Sequence, residues 1–325
     1  MINKFKHLSL LKLLKNIYSL MKYDLHQDTL KLRKELDEAK YSLYVIKLKE
    51  NILNYYENEP DLALHYGSEL EFIRKAGLSV FPYHKIKTLK SIIANYDNIL
   101  EMPYVMHNHK KLYFPKNWTT EQAVFQYRNY IETENLLGGS FSTKAPHQYQ
   151  TDSFYIKEGD VLLDIGCAEA LIALDAIEKT QKVYLFESDT IWIEPLKATF
   201  EPYKEKVVLI NKLVSNADTQ DTVKLSTALK DEVLDQLFIK MDIEGFEKEV
   251  IKDSTALLSL KNDIRIACCT YHQHNDAEYV KMQLESMNYH TEYSDGYMLF
   301  FYDELKPPYF RKGMIRAYRK NHTSQ

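Results

Sequence analysis

Apolar and polar positions follow two different periods along this chain. From Asp24 to about Tyr56 the period is helical: Leu32, Leu36, Ala39, Leu43 and Ile46 step by alternating fours and threes, and Leu53 continues the register after Glu50 takes the intervening core position. That spacing predicts a coiled-coil seam about three heptads long, or one arm of a helical hairpin. Glu59-Pro60 ends it. Ser68 with Glu71 predicts a capping box ahead of a short helix that Gly77 can stop. Further on, Tyr104–Met106 and Leu112–Phe114 flank the polar Asn108-His109-Lys110, the pattern of a β-hairpin. A helix over roughly Thr120–Glu134 begins with Thr119 or Thr120 as its cap.

From Gly159 the pattern changes to short apolar runs separated by helical stretches. Val161–Ile165, Val183–Phe186, Val207–Ile210, Leu237–Ile239 and Ile264–Cys269 read as strands. Glu169–Lys179, Ile191–Phe200, Glu247–Leu258 and Asp276–Met287 read as the helices between them. This alternation predicts a doubly wound parallel sheet. The last two strands, His290–Tyr293 and Tyr297–Tyr302, sit either side of Ser294-Asp295-Gly296 and predict an antiparallel hairpin. The expected organisation is a helical segment at 1–65, a lead-in of helices and a hairpin at 66–155, an α/β core at 156–306 and a basic tail at 307–325.

Composition narrows the function. Of 325 residues, 45% are apolar, which excludes wholesale disorder. Lys and Arg number 42 against 46 Asp and Glu, a net charge of −4 that argues against a dedicated nucleic-acid binder. Cys167, Cys268 and Cys269 are too few for a disulfide framework and suggest a reducing compartment. No run reaches the roughly 18 apolar residues of a membrane span. Residues 1–23 lack any acid and place Leu10, Leu13, Leu14, Ile17 and Met21 at helical spacing. Such a basic amphipathic helix packs on protein or lies on an anionic membrane. The expected location is therefore cytoplasmic, with any membrane contact peripheral, at the inner face through residues 1–23.

The candidate chemistry lies at strand ends. Asp164-Ile165-Gly166-Cys167-Ala168-Glu169-Ala170 joins the first strand to its helix, where a glycine lets the backbone approach a ligand. A dinucleotide enzyme would show G-x-G-x-x-G here; with Gly166 alone, a pyrophosphate is poorly supported. An acid at this strand end suits a cationic group such as the amino group of S-adenosylmethionine. Glu187, ending the second strand, can accept two ribose hydroxyls. Either acid alone reads more simply as a helix cap or a solvated strand end; together, at neighbouring ends, they point to a ligand. Lys240-Met241-Asp242-Ile243-Glu244-Gly245-Phe246-Glu247 follows the fourth strand. Helix-dipole preference explains Glu247 but not Asp242. His272 ends the fifth strand on the same edge, beside those carboxylates, where it can act as a base.

Asp164–Ala170, Phe186-Glu187 and Lys240–Glu247 together resemble the FkbM-type methyltransferase family, whose pattern approximates D-x-G-A-x-x-G, F-E-P and K-x-D-x-E-G-x-E. The third motif is intact, and the resemblance spans about Tyr104–Arg319, including Leu112-Tyr113-Phe114-Pro115 and Ala145-Pro146-His147-Gln148-Tyr149 ahead of the α/β core. Ala170 stands where the family has its last glycine, Ser188 replaces the proline and Cys167 an alanine. A Cβ at 170 is tolerable if that turn keeps a negative φ. The resemblance implies a class I (Rossmann-like) methyltransferase sheet, mostly parallel with a terminal antiparallel hairpin. It also implies S-adenosyl-L-methionine as cofactor and methylation of a sugar, polysaccharide-precursor or other small-molecule hydroxyl. Asp164, Gly166, Cys167, Glu169, Glu187 and Asp242 are the expected cofactor residues. His272 is the expected base, assisted by Asp242 and Glu244, with Lys240 keeping the carboxylates ionised or touching substrate. Mg²⁺ on Asp242 and Glu244 is possible but not favoured, and zinc spacing is absent. Partners expected are a small-molecule or glycan acceptor, no nucleic acid, and a second copy through residues 24–56. Two other readings are a silent methyltransferase-like scaffold and a nucleic-acid methyltransferase served by Arg311, Lys312, Arg316, Arg319 and Lys320. The missing aromatic motif for a flipped base after strand four speaks against the latter.

Overall fold

The structure, a computed structural model, describes residues 2–86, 89, 91–141, 144–232, 234–260, 263–301 and 305–319, with side chains from Asp28 onward. It divides into two compact units at Leu78–Ser79. In the first, α1 (Ile2–Glu57) runs as one helix through both the basic segment and the seam. The amphipathic face predicted for residues 1–23 lies outside the described side chains. After α1 come α2 (Pro60–His65) and α3 (Gly67–Ala76). Leu48, Ile52 and Tyr56 of α1 are buried, as are Leu70 and Ile73 of α3, and the Tyr56 and Tyr66 rings meet edge to face at 5.5 Å. The end of α1 thus packs as a hairpin arm. The predicted capping box does not form. Tyr66 N–H still bonds back to Leu62 O, so the chain enters α3 without the extended residue a capping box needs, and the Ser68 hydroxyl donates to Glu69 instead.

The second unit opens with a small antiparallel sheet, β1 (Ala94–Asp97), β2 (Met102–His107) and β3 (Lys110–Tyr113). Asn108 and His109 turn the predicted hairpin with φ of 47° and 66°. Helix α4 (Thr120–Arg128) is capped by Thr119. Its hydroxyl accepts from Gln122 N at 3.2 Å, and the Gln122 side chain accepts from Thr119 N at 2.7 Å. The helix then loosens into a π turn at Asn129–Thr133.

The main sheet follows. Its elements are β4 (Val161–Ile165), α5 (Leu171–Ala176), β5 (Lys182–Phe186), α6 (Ile193–Phe200) and β6 (Val207–Ile210). A short parallel pair, β7 (Leu213–Val214) and β8 (Thr222–Val223), and one turn, α7 (Leu225–Ala228), lead to β9 (Gln236–Met241). Then come α8 (Glu247–Asp253), α9 (Thr255–Leu258), β10 (Asp263–Cys269), α10 (Asp276–Ser286), β11 (His290–Tyr293) and β12 (Met314–Tyr318). The strand order is β11-β12-β10-β9-β4-β5-β6. All pairs from β10 to β6 are parallel, and β12 runs antiparallel to both neighbours. Every residue of β4 is buried, with Leu162 in the core on one face and Val161, Leu163 and Ile165 in the core on the other. Burial of this kind contributes about 1.5–3 kcal/mol per large aliphatic side chain and fixes β4 at the centre.

The antiparallel closure is present, but its second strand is Met314–Tyr318, inside the predicted tail, and not Tyr297–Tyr302. Between β11 and β12 the described residues 294–301 and 305–313 are tied back by a bridge between Met298 and Arg311, and by Ala145 N donating to Asp295 O at 3.0 Å and Leu299 N to Val80 O at 2.9 Å. Ser-Asp-Gly favours pairing with the nearest apolar run, whereas the sheet takes the run after Gly313. A Cβ at Gly313 would collide with the Pro146 carbonyl. Several of the described basic side chains of this region are engaged by the fold, and Lys320 lies outside the described residues. Arg316 is buried and donates to Gln148 O at 2.6 Å, and Arg319 donates to the carbonyls of Leu258 and Leu260. Three of the five charges on which a nucleic-acid reading rests, Arg311, Arg316 and Arg319, are therefore occupied by backbone carbonyls.

Candidate functional site

The chain leaves β4 toward β5 on one side and reaches β9 on the other, so a crevice opens at the carboxyl ends of these strands. Gly166, with φ 68°, presses its Cα against the Asp242 carbonyl, and any Cβ there would collide with it. The loops after β4 and β9 are thereby interlocked. Glu187 staples the first of them: its carboxylate accepts from Ala168 N and from Asp189 N, both at 2.7 Å. One further lone pair on each oxygen is left for a ligand. Ala168 and Ala170 take φ of 45° and 59°. Position 170 therefore lacks the negative φ that would make its Cβ harmless. Relieving the left-handed strain should outweigh one lost methyl, so Ala170→Gly is expected to stabilise the fold by about 0.5–1 kcal/mol, read as a higher urea midpoint.

Asp164 and Lys240 are direct register partners across β4 and β9, so their side chains share a face; Lys240 Nζ lies 3.1 Å from Asp164 Oδ1 and also donates to Gly166 O. Burial works against the Lys240 charge, but Asp164 and Asp242 hold it protonated beyond the ordinary lysine range. Burial raises Asp164, with Lys240 opposing. Beside this pair lies a cavity of about 80 Å³ walled by Glu134, Glu169, Asp164, Asp242, Lys240 and His147. Burial pushes Glu169 up to about 7, partly offset by the Tyr130 hydroxyl. Glu134 is pushed up to about 8, by burial first and then by Glu169 and Asp242. Four carboxylates thus face one ammonium and a histidine. The cleft is short of positive charge.

Asp242 collects the densest set of contacts. Tyr149 donates to its Oδ2 at 3.0 Å and Tyr271 to its Oδ1 at 3.1 Å, while His147 Nε2 and His272 Nε2 each stand 3.4 Å away. Burial favours the neutral acid, but His147, His272 and Lys240 prevail and hold Asp242 well below the usual carboxylate range. The Tyr149 hydroxyl also lies 3.1 Å from His147 Nε2 and 3.4 Å from Cys269 Sγ. His272 is gripped from behind by Glu247, whose Oε1 lies 3.0 Å from Nδ1 and accepts from Ile243 N. Burial opposes its charge, but Glu247, Asp242 and Glu244 push it up to about 9. Among the described residues, two groups gather three potential metal ligands each, His147–Asp242–Cys269 and Asp242–Glu247–His272. Glu244, the residue paired with Asp242 for Mg²⁺, joins neither, and its side chain is 89% exposed.

Of the residues singled out in the sequence, Asp164, Gly166, Cys167, Glu169, Lys240 and Asp242 line the cavity. Glu187 stands just behind the first loop. His272 lies beyond Asp242 and is not part of the cavity wall. As a base it would begin to act only as the pH nears its raised value. His147, Tyr149, Glu134 and Tyr130 are not among the site residues that the sequence predicts. They come from the lead-in: Tyr130 and Glu134 end the predicted helix, where a helical period says nothing of chemistry, and His147 and Tyr149 lie in no periodic stretch; the π turn after α4 and the bend at Ala145–Tyr149 bring them to the sheet edge. Arg311, which the sequence places among the tail charges, donates through its guanidinium to Tyr271 O at 2.8 Å and His272 O at 2.7 Å and braces the segment after β10.

The strand order, with one antiparallel strand inserted beside β10, is that of the class I methyltransferase fold. No family model matches the chain, and no curated protein does. Among solved structures it is similar to a precorrin-6y C5,15-methyltransferase from Geobacter metallireducens, at 16% identity over 51% of this chain and 82% of the other, with TM-score 0.35. It is similar too to magnesium protoporphyrin IX methyltransferase with bound SAM from Synechocystis, at 11% identity over 50% and 71%, with TM-score 0.32. A third is a SAM-dependent O-methyltransferase from Thermotoga maritima, at 16% identity over 52% and 63%, with TM-score 0.31. These likenesses are too distant to add to what the strand order states. Among the described residues, no helix is long and apolar enough to cross a membrane.

Proposed function

We propose that the chain is an S-adenosylmethionine-dependent methyltransferase of the FkbM type that methylates a hydroxyl of a sugar, polysaccharide precursor or related small molecule. The observation that carries this reading is the acid-rich cleft at the ends of β4 and β9, where four carboxyl groups face one ammonium and burial pushes Glu134 and Glu169 toward their protonated forms. S-adenosylmethionine brings a sulfonium and an ammonium, and this donor set fits them. The cofactor supplies the activated methyl group. Asp164 would face the amino group, and Glu187 offers its remaining lone pairs to ribose hydroxyls. At about 80 Å³ the cavity is far below the roughly 300–1,000 Å³ of a ligand pocket. Binding therefore requires the lead-in wall around Tyr130 and Glu134 to move outward.

An acceptor hydroxyl must shed a proton. We assign that proton to His147, because its ring borders the cavity, and give Asp242 the task of steadying the resulting imidazolium. His272 is then a positioning residue that keeps Asp242 ionised and oriented through its own link to Glu247.

Calorimetric titration tests the cofactor reading. Glu134 is largely protonated at pH 7 and Glu169 about half so. An entering cation lowers both values, so binding should release protons and tighten as pH rises from 6 to 8. Titrations in buffers of different ionisation enthalpy should show greater release for S-adenosylmethionine than for the uncharged-sulfur product S-adenosylhomocysteine. No binding of either would leave the scaffold reading. A labelled-methyl transfer screen across sugar nucleotides, lipid-linked glycans and RNA then identifies the acceptor, and transfer to RNA alone would overturn the glycan assignment.

A further inference from the structure

We propose that α1 joins a second copy of this chain as a parallel, in-register coiled coil over residues 28–46, independently of the methyltransferase reading. Leu36 and Leu43 take heptad positions a, and Leu32, Ala39 and Ile46 positions d. Leu32, Leu36, Leu43 and Ile46 are 64, 55, 52 and 55% exposed. Of the α1 residues that are buried, Leu48 and Ile52 take positions f and c of the same register, on the opposite side of the helix, while Tyr56, at position g, lies beyond Glu50, past the end of the seam. The seam is therefore left uncovered by the unit that carries it, at a cost in exposed apolar surface that a partner helix would remove.

Charge selects the partner and its direction. Position g carries Asp28 and Glu35, and position e carries Arg33 and Lys40, all four exposed. In a parallel pair each g faces the following e of the other helix, which sets Asp28 against Arg33 and Glu35 against Lys40, twice over by symmetry. An antiparallel pair would set carboxylate against carboxylate and cation against cation. Glu35 reaches Lys31 along its own helix at 4.0 Å, a weak exposed contact that does not compete strongly. Ala39 at the central d position lets two helices close together, whereas three or four strands would leave a void at that layer. Glu50 at the next a position opposes its own copy and ends the seam.

The full chain should sediment at twice its mass, and Leu36→Asp with Leu43→Asp should reduce it to a monomer whose cofactor titration and near-ultraviolet circular dichroism are unchanged. Orientation is read by oxidative crosslinking. Copies bearing Leu32→Cys alone should crosslink to one another, and so should copies bearing Ile46→Cys alone; the native cysteines are buried. A monomeric parent chain overturns the proposal, as does a dimer that survives the double substitution. Crosslinking only in a mixture of the two variants would mean an antiparallel pair and overturn the orientation.

Discussion

Replacing Asp242 with Asn is expected to lower methyl transfer by about 10²–10³, the loss typical when a preorganised charge is removed from a site. Two tyrosine hydroxyls and two histidine rings converge on this one carboxylate. An amide of the same shape accepts through one oxygen only and turns a donor toward groups that are themselves donors. Lys240 and His272 are left buried with less compensating charge, so stability should fall by about 3 kcal/mol. The stabilising part of Asp242 is present above the ordinary aspartate value and is lost as pH falls through its depressed folded value, so the deficit should persist across the neutral range. Turnover close to that of the parent chain, in folded protein, would remove Asp242 from the machinery.

The second large effect separates the two histidines. His147→Ala should lower kcat by about 10²–10⁴ with cofactor affinity little changed, as expected for a lost proton acceptor. His272→Ala should act differently. Its raised value makes the ring a stabilising cation, complete below about pH 6.5 and lost as pH climbs through about 9. The parent chain should therefore lose about 3 kcal/mol of stability across that window, and His272→Ala should abolish the step. Turnover in His272→Ala should fall less than in His147→Ala, and His272→Gln should recover part of it. The reverse ranking would return the base to His272.

The parallel strands were legible because each is a short buried run between helices, and burial on both faces leaves a plain trace. Lys240–Glu247 was legible because Asp242, directly after an apolar strand, is explained neither by a core nor by the helix that follows. The lead-in residues carry no such mark of chemistry: Ala145–Tyr149 belongs to the resemblance, and Tyr130 and Glu134 to a predicted helix, but neither assigns them a role at the site. His147 and Tyr149 sit in a bend whose neighbours impose no period, and only the closure of that bend over β9 and β10 gives them partners. The last strand misled because Tyr297–Tyr302 is as apolar as Met314–Tyr318, while Arg311 and Arg316 look like surface charges until carbonyls are found for them. The Ala170 substitution was weighed on a φ that only the folded turn could supply.

The placement of β12 between β10 and β11 also bears on how the chain is made. Synthesis delivers β10 and β11 first and their shared neighbour last, so both strands wait with open edges while residues 294–313 leave the ribosome. The sheet cannot be completed until Met314–Tyr318 has cleared the exit tunnel. A nascent chain stalled before that point presents two unsatisfied strand edges, one of them apolar, and should be the form that chaperones capture.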